Sequence, residues 1–132
     1  MATTTPFLVT KLRPPLAPSN PIRRQRLVAR LDANLPLTLI TAPAGCGKTT
    51  LLSEWLGQNP SRVAWLSLDA DDSDPARFWG YVLAALQQVE PTLGETALAL
   101  LQSPQPPVVA VLTDLINQVA EQPRSLALVL ED

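Results

Sequence analysis

One stretch decides the fold of this chain: residues 37–49 read LTLITAPAGCGKT. Residues 37–42 are apolar or β-branched and lie between two prolines, a pattern that predicts a buried strand. Apolar residues then recur at helical spacing over residues 48–56, and Gly57 and Pro60 are predicted to end this helix. A short glycine-rich turn therefore joins a strand to a helix.

The turn has the spacing of a Walker A phosphate loop, although Ala42 replaces the first glycine of that pattern. Gly45 and Gly47 allow the tight backbone turns that point several amides at one phosphate group. The helix beginning near Lys48 adds its own free amides, and the ammonium group can reach the β- and γ-phosphates. Thr49 offers a hydroxyl ligand for Mg²⁺. We therefore predict binding of a nucleoside triphosphate, Mg-ATP above all.

Eight consecutive residues are predicted to contact the nucleotide. They are Pro43, Ala44, Gly45, Cys46, Gly47, Lys48, Thr49 and Thr50. Cys46 occupies a variable position of the loop and is interpreted as a small spacer. The alternative is a redox-sensitive thiol, because a helix N-terminus lowers a thiol pKa and an oxidised sulfur would crowd the phosphate.

The rest of the chain alternates strands with helices. Strands are predicted over residues 63–68 and 125–130, with helices between them, and a short helix over residues 24–35 precedes the phosphate loop. Such alternation requires crossover connections and a parallel sheet. The predicted fold class is α/β, a P-loop NTPase with a parallel sheet flanked by helices, here an incomplete portion with three strands.

Two acidic residues follow the last predicted strand, as in a Walker B motif. A carboxylate at the carboxyl end of such a strand can hold Mg²⁺, and a second one can orient or deprotonate the attacking water. When the two acids are aligned with the positions of the Walker B motif, Glu131 takes the Mg²⁺ position together with Thr49, and Asp132 faces the water. Glu131, Asp132 and Lys48 are thus the predicted catalytic residues, although the usual order has aspartate first.

Composition and charge narrow the class of protein. The chain has 132 residues, a net charge of -2 and a single cysteine. The chain is long enough for one domain, and it contains neither a disulfide framework nor an apolar run of ~20 residues. These features indicate a cytoplasmic protein that does not enter a membrane. We divide it into an extended, basic, proline-rich arm over residues 1–23 and the N-terminal part of an NTPase domain over residues 24–132.

Residues 1–31 contain no Asp or Glu but several basic side chains, including Lys11, Arg13 and Arg24. The simpler interpretation is a solvated surface; the alternative is an arm that lies against an anionic ligand.

Three local patterns concern the second half of the chain. Asp74 followed by proline predicts the start of a helix. Its apolar stripe predicts a core-facing surface formed by Phe78, Trp79, Val82, Leu83, Leu86 and Val89. Thr92 and Glu95 have the spacing of a capping box ahead of a further short helix. Asp69 and Asp74 are interpreted as capping or loop-solvating residues, with a role in nucleotide-dependent rearrangement as the alternative.

Five segments in this order resemble a known family. They read TKLRP (10–14), R-x-RL (24–27), LITAPAGCGKTTLL (39–52), AWLSLD (64–69) and DPARFW (74–79). Together they resemble the N-terminal ATPase module of large LuxR-family activators of the maltose-regulator type, within the STAND class of ATPases. The last two segments are far more specific than Walker A, which many unrelated enzymes share.

The resemblance implies an ATP-dependent switch that self-associates in its ATP state and is reset by slow hydrolysis. It also implies a helical repeat sensor and a C-terminal helix-turn-helix that binds DNA, both absent from this chain. In the family the segment before the first strand lies near the nucleotide, which implies a ligand-side role for Arg24 and Arg26. The sequence departs from the family pattern at Ser73, where asparagine is common, and at Glu131.

Two other function classes stay open beside the regulatory ATPase. One is a P-loop small-molecule kinase or another NTPase enzyme, which would need a basic lid and an acceptor pocket. The other is an interaction remnant that no longer hydrolyses ATP. Because the lid, the sensor and two further strands of such a domain are absent, we expect a fragment or truncated product with an exposed Walker B strand edge that promotes self-association.

Overall fold

A computed structural model describes residues 7–14, 25–31, 47–58 and 62–131. The chain divides into two compact units. One comprises Met1–Pro14 with Ser61–Asp132, and the other comprises Pro15–Pro60. The predicted first strand, residues 37–42, lies outside the described residues.

The described elements alternate in the predicted order. They are a 3-10 helix Val9–Leu12, α1 (Gln25–Leu31), α2 (Lys48–Gln58), β1 (Val63–Ser67), a 3-10 helix Ala70–Ser73, α3 (Pro75–Val89), α4 (Glu95–Leu101), α5 (Val108–Ala120) and β2 (Ala127–Glu131). Among the described residues, none of these helices is long and apolar enough to cross a membrane.

The two described strands pair in parallel, as the alternation of strands and helices predicts. Their register runs from Val63 opposite Ala127 to Ser67 opposite Glu131. The amide of Ala127 donates to the carbonyl of Arg62 at 2.9 Å, and the amide of Leu68 donates to the carbonyl of Glu131 at 2.7 Å. This α/β arrangement is confirmed within the described part of the chain.

Burial differs between the two strands. In β1, three consecutive residues (Ala64, Trp65 and Leu66) are buried, so both faces of this strand are covered. In β2 burial alternates, and Leu128 and Leu130 are 37% and 46% exposed. Exposed apolar side chains on a strand are consistent with the self-association expected above, which stays a prediction.

The core of the first unit forms where α3 packs against β1. Its largest fully buried side chains are Leu66, Leu83, Leu93 and Val111. The predicted stripe on α3 is confirmed as core-facing, although Phe78 and Trp79 are only half-buried at its start. These two rings meet edge to face with centroids 5.0 Å apart. Spacing alone identified this surface because helix geometry places such residues on one side.

The start of α3 agrees with its predicted cap, whereas the start of α4 does not. Asp74 accepts a hydrogen bond from the amide of Arg77 at 3.0 Å, with proline in the first turn. The capping box predicted from Thr92 and Glu95 is wrong. The N-cap is Gly94 in the left-handed conformation, and Thr92 donates instead to the carboxylate of Glu90.

α2 ends at Gln58, between the two residues predicted to stop it, and runs two residues past the predicted bound at Leu56, because Gly57 lies inside the helix. A single exposed glycine in a last turn costs only ~1 kcal/mol relative to alanine. Of the helix predicted over residues 24–35, the structure describes α1 as Gln25–Leu31; residues 24 and 32–35 lie outside the described residues.

Candidate functional site

The last three residues of the predicted phosphate loop are described, and they combine a left-handed glycine with a helix start. Gly47 has φ of +83°, a conformation that L-residues with a side chain rarely adopt. α2 begins at the next residue, Lys48, and the amide of Leu51 donates to the carbonyl of Gly47 at 2.9 Å. Lys48, Thr49 and Thr50 are half-buried in the first turn.

The helix behind this turn has an apolar side. Leu51 and Leu52 on α2 are buried, as is Val28 on α1, and the two helices pack against each other within this unit. Arg26 is exposed on α1. The remaining predicted nucleotide-binding residues lie outside the described residues; they are Pro43, Ala44, Gly45, Cys46 and Arg24.

The predicted Walker B position ends β2. Glu131 is the last residue of this strand, half-buried and opposite Ser67. Asp132 lies outside the described residues. Within the described ranges, no group of three or more His, Cys, Asp or Glu side chains could hold a metal ion. Lys48 and Thr49 belong to the Pro15–Pro60 unit and Glu131 to the other unit, so their joint action on a nucleotide stays a prediction.

The densest cluster of charges in the described residues joins the N-terminal arm to the acidic loop after β1. The Nζ of Lys11 donates to Oδ2 of Asp69 at 2.9 Å and also to Oδ2 of Asp72. The side chains of Lys11 and Asp72 are only 8% and 3% exposed, whereas that of Asp69 is 47% exposed. A buried ammonium thus lies between two carboxylates of the same chain.

The two carboxylates are themselves held by the backbone of the loop. Asp69 accepts from the amide of Asp71 at 2.9 Å, and Asp72 accepts from the amide of Asp69 at 2.8 Å. This reciprocal pair is a capping box on the 3-10 helix Ala70–Ser73. The capping interpretation of Asp69 is confirmed, and the local turn presents both carboxylates to one cation.

Tyr81 on α3 completes the contact with the arm. The Nζ of Lys11 lies 4.4 Å from the centroid of its ring, within the range of a cation–π interaction. The amide of Leu8 donates to its hydroxyl at 3.1 Å, and the ring of Phe7 meets it edge to face at 4.9 Å between centroids. Arg77, whose Cζ lies 5.4 Å from the same centroid, has its Nε 3.6 Å from Oδ1 of Asp72.

The electrostatics of this cluster favour its charged form. Burial lowers the pKa of Lys11, but hydrogen bonds to Asp72 and Asp69 outweigh burial and raise the pKa above its ordinary value. Burial raises the pKa of Asp72, but hydrogen bonds from Lys11 and from the amide of Asp69 leave the pKa lowered. Hydrogen bonds from Lys11 and from the amide of Asp71 lower the pKa of Asp69.

The sequence did not predict this charge cluster. It treated the basic arm as a solvated surface or as a contact for an anionic ligand, whereas the anions that contact Lys11 are carboxylates of the same chain. The available signal was local: Asp69 and Asp72 have capping-box spacing, which marks both side chains as ordered. Nothing local indicates that residue 11 meets residue 72.

Comparison with known proteins relates nearly the whole chain to one part of a regulator. No protein-family model matches the chain. It is 36% identical over 129 residues to the HTH-type transcriptional regulator MalT of Cronobacter sakazakii (strain ATCC BAA-894). The match covers 96% of this chain but only 14% of that relative. The chain is therefore similar to one segment of a much longer transcriptional regulator.

Proposed function

We propose that this chain is the nucleotide-binding part of a MalT-like transcriptional regulator and that it binds Mg-ATP through the loop Ala42–Thr49. One observation carries the proposal: the last glycine of a Walker A pattern is left-handed, and a helix starts at the lysine that follows it. A chance glycine turn has no need of that conformation at that position.

The chemistry of this turn suits a polyphosphate. The first amides of a helix lack intrahelical partners and lie at the positive end of the helix dipole, which stabilises bound anions. Lys48 is in this first turn, where its ammonium adds a full positive charge. The neighbouring Thr49 supplies a hydroxyl that suits Mg²⁺, an ion that takes its other ligands from phosphate oxygens and water.

The regulatory part of the proposal is supported by similarity. The chain is 36% identical to a segment of MalT, which is described as an HTH-type transcriptional regulator. The segments 64–69 and 74–79, which carried the family resemblance, lie in β1, the loop after it and the start of α3. In this proposal the chain reports nucleotide state, and DNA binding and the self-association of the active state involve the longer protein.

Hydrolysis is a separate part of the proposal. Glu131 would hold Mg²⁺ with Thr49, and Asp132 would orient the attacking water. Glu131 stands where the usual pattern has aspartate, and its carboxylate reaches one methylene further from the strand. We therefore propose binding as the main property of this chain and slow turnover as a property of the longer regulator.

A titration with Mg-ATP tests the proposal. Lys48→Ala removes a charge-assisted contact of ~1.5–3 kcal/mol, so we expect the dissociation constant to rise roughly tenfold to more than a hundredfold. Arg30→Ala is the matched control because it removes the same charge from an exposed position of α1 in the same unit. Isothermal titration calorimetry on folded samples gives the three affinities. Equal binding by wild type and Lys48→Ala, or no binding by wild type, would refute the proposed function.

A further inference from the structure

A cavity of about 400 Å³ lies between the N-terminal arm, the start of α3 and α4. Cavities of this size are typical of sites for small molecules. Every residue that lines it belongs to the unit of Met1–Pro14 with Ser61–Asp132, so the cavity is formed within one compact unit. Its lining combines apolar side chains with two side chains of opposite charge.

The apolar part of the lining comes from aromatic and leucine side chains. Phe7 and Tyr81 meet edge to face with centroids 4.9 Å apart, and Leu98 and Leu101 belong to α4. Tyr81 and Leu101 are buried, whereas Phe7 and Leu98 are only half-buried. Covering the remaining apolar surface of the half-buried side chains would be favourable. The cavity therefore suits a ligand with an apolar body.

The two charged residues of the lining, Asp74 and Arg77, do not pair with each other. None of the ion pairs within the described residues joins them. Asp74 accepts from the amide of Arg77 through Oδ2, and its Oδ1 accepts no hydrogen bond from the described part of the chain. The Arg77 guanidinium has an ion-pair contact with Asp72 at 3.6 Å but donates no hydrogen bond within the same residues.

Both charged groups thus keep hydrogen-bonding capacity for a ligand. The Cζ of Arg77 lies 5.4 Å from the centroid of the Tyr81 ring, a cation–π contact that orients the guanidinium. A guanidinium matches a carboxylate with two parallel hydrogen bonds. The free carboxylate oxygen of Asp74 can accept from an ammonium group. A ligand that carries both a carboxylate and an ammonium group would engage both side chains at once.

We propose that this cavity binds a free apolar α-amino acid as its zwitterion. The α-carboxylate pairs with Arg77 and the α-ammonium group pairs with Asp74. The side chain of the amino acid packs against Phe7 and the two leucines of α4. This site involves neither the phosphate loop nor the predicted Walker B residues, so it goes beyond the proposed function and does not depend on it.

An NMR titration of the isotope-labelled chain with L-phenylalanine, without nucleotide, tests the site. The amide shifts of Arg77, Gly80 and Leu98 report binding because these residues line the cavity. Three further ligands each lack one feature: 3-phenylpropionate lacks the ammonium group, 2-phenylethylamine lacks the carboxylate, and glycine lacks the apolar side chain. We expect each to bind roughly tenfold more weakly than L-phenylalanine, and for the first two this factor is the equivalent of one charge-assisted hydrogen bond.

Two variants assign the charges to their side chains. Asn is a favoured N-cap, so Asp74→Asn keeps the start of α3 while it removes the anion. Arg77→Gln removes the cation. We expect both variants to bind L-phenylalanine roughly tenfold more weakly than wild type, and Asp74→Asn to bind L-phenylalanine and 3-phenylpropionate with similar affinity. Arg124→Gln is the matched control, because Arg124 is an exposed cation of the same unit that does not line the cavity.

Saturable shifts at the three amides that weaken in Asp74→Asn and Arg77→Gln, but not in Arg124→Gln, support the proposal. Absence of saturable shifts at ~10 mM L-phenylalanine overturns it, because that concentration detects even a millimolar dissociation constant. Equal affinity of wild type for L-phenylalanine and for 3-phenylpropionate or 2-phenylethylamine also overturns it. The ligand series on wild type decides the proposal even where a variant does not fold, and a failure to bind Mg-ATP leaves its outcome unchanged.

Discussion

Gly94 has much more restrictive surroundings than Gly57 or Gly80. Its φ is +68°, and a Cβ built on it would lie 2.6 Å from Cδ2 of Leu83, a side chain with no exposed surface. Its amide donates to Oε1 of Gln118 at 2.8 Å, which ties the start of α4 to α5. Gly57 is the opposite case, since it is helical and no atom lies within 4 Å of its Cβ position.

Gly94→Ala is therefore expected to lower the free energy of unfolding by about 2–4 kcal/mol, as left-handed strain and overpacking against Leu83 add. Gly57→Ala is the control, and we expect it to raise the free energy of unfolding by about 0.5–1 kcal/mol because alanine restricts the unfolded chain and favours helix. Urea denaturation followed by circular dichroism measures both. Similar midpoints for the two variants would contradict the assignment of Gly94 as a strained position.

At the scale of elements, Arg62 joins three segments at the start of the sheet. Its guanidinium donates to the carbonyls of Ser125 and Arg124 at 3.3 and 3.2 Å and to Oε1 of Gln122 at 3.3 Å. It also lies 3.6 Å from the carboxylate of Glu90 at the end of α3. One side chain thus adds to the backbone hydrogen bond between Ala127 and Arg62 and helps to fix the entry of the chain into both parallel strands.

Arg62→Ala is expected to lower the free energy of unfolding by about 1.5–3 kcal/mol, the value of hydrogen bonds that involve a charged group. Arg124→Ala serves as the control because its own side chain is exposed while its carbonyl is retained, and we expect a change within about 0.5 kcal/mol. Thermal unfolding of both variants distinguishes them. An Arg62→Ala protein as stable as wild type would show that the strand pairing does not depend on this side chain.

At the scale of the whole molecule, the arm makes stability depend on pH through the ion pairs of Lys11 with Asp69 and Asp72. The pKa values of Asp69 and Asp72 are lowered by folding, so their contribution is present above the unfolded value of about 3.9 and is lost as the pH falls through the folded values. The pKa of Lys11 is raised, so its contribution is present below about 10.4 and is lost as the pH rises through the folded value.

We therefore expect the stability difference between wild type and Lys11→Met to be constant from about pH 5 to 9 and to shrink below about pH 4. Arg77 and Tyr81 also face the cluster. Urea unfolding of both proteins from pH 3 to 7 measures how this stability difference changes on the acidic side. A stability difference that grows on acidification would contradict the lowered carboxylate pKa values.

Much of the fold could be predicted because its signals are local. The helical spacing of apolar residues and the turn residues before them predicted α3, its Asp74 cap and its core stripe. The alternation of strands with helices predicted the parallel pairing of the strands 63–68 and 125–130. The misses are also local. Thr92 and Glu95 have the spacing of a capping box, but the helix begins instead after Gly94, which adopts a left-handed conformation. The amide of Gly94 donates a hydrogen bond to Gln118 on another helix. The residue spacing of a capping box does not reveal such a competing hydrogen-bond partner.

For the candidate site, the prediction of a phosphate loop comes from the sequence alone, because the proposed phosphate binding would depend on consecutive backbone amides and on the residue types beside them. Gly47 and Lys48 already carry that information in their order. Only the tertiary structure decided what the basic arm contacts, because ion pairing between residues 11 and 72 depends on where the chain returns in space. An ion pair forms when the two charged groups lie within a few ångströms of each other. A sequence separation of about sixty residues does not indicate that spatial distance.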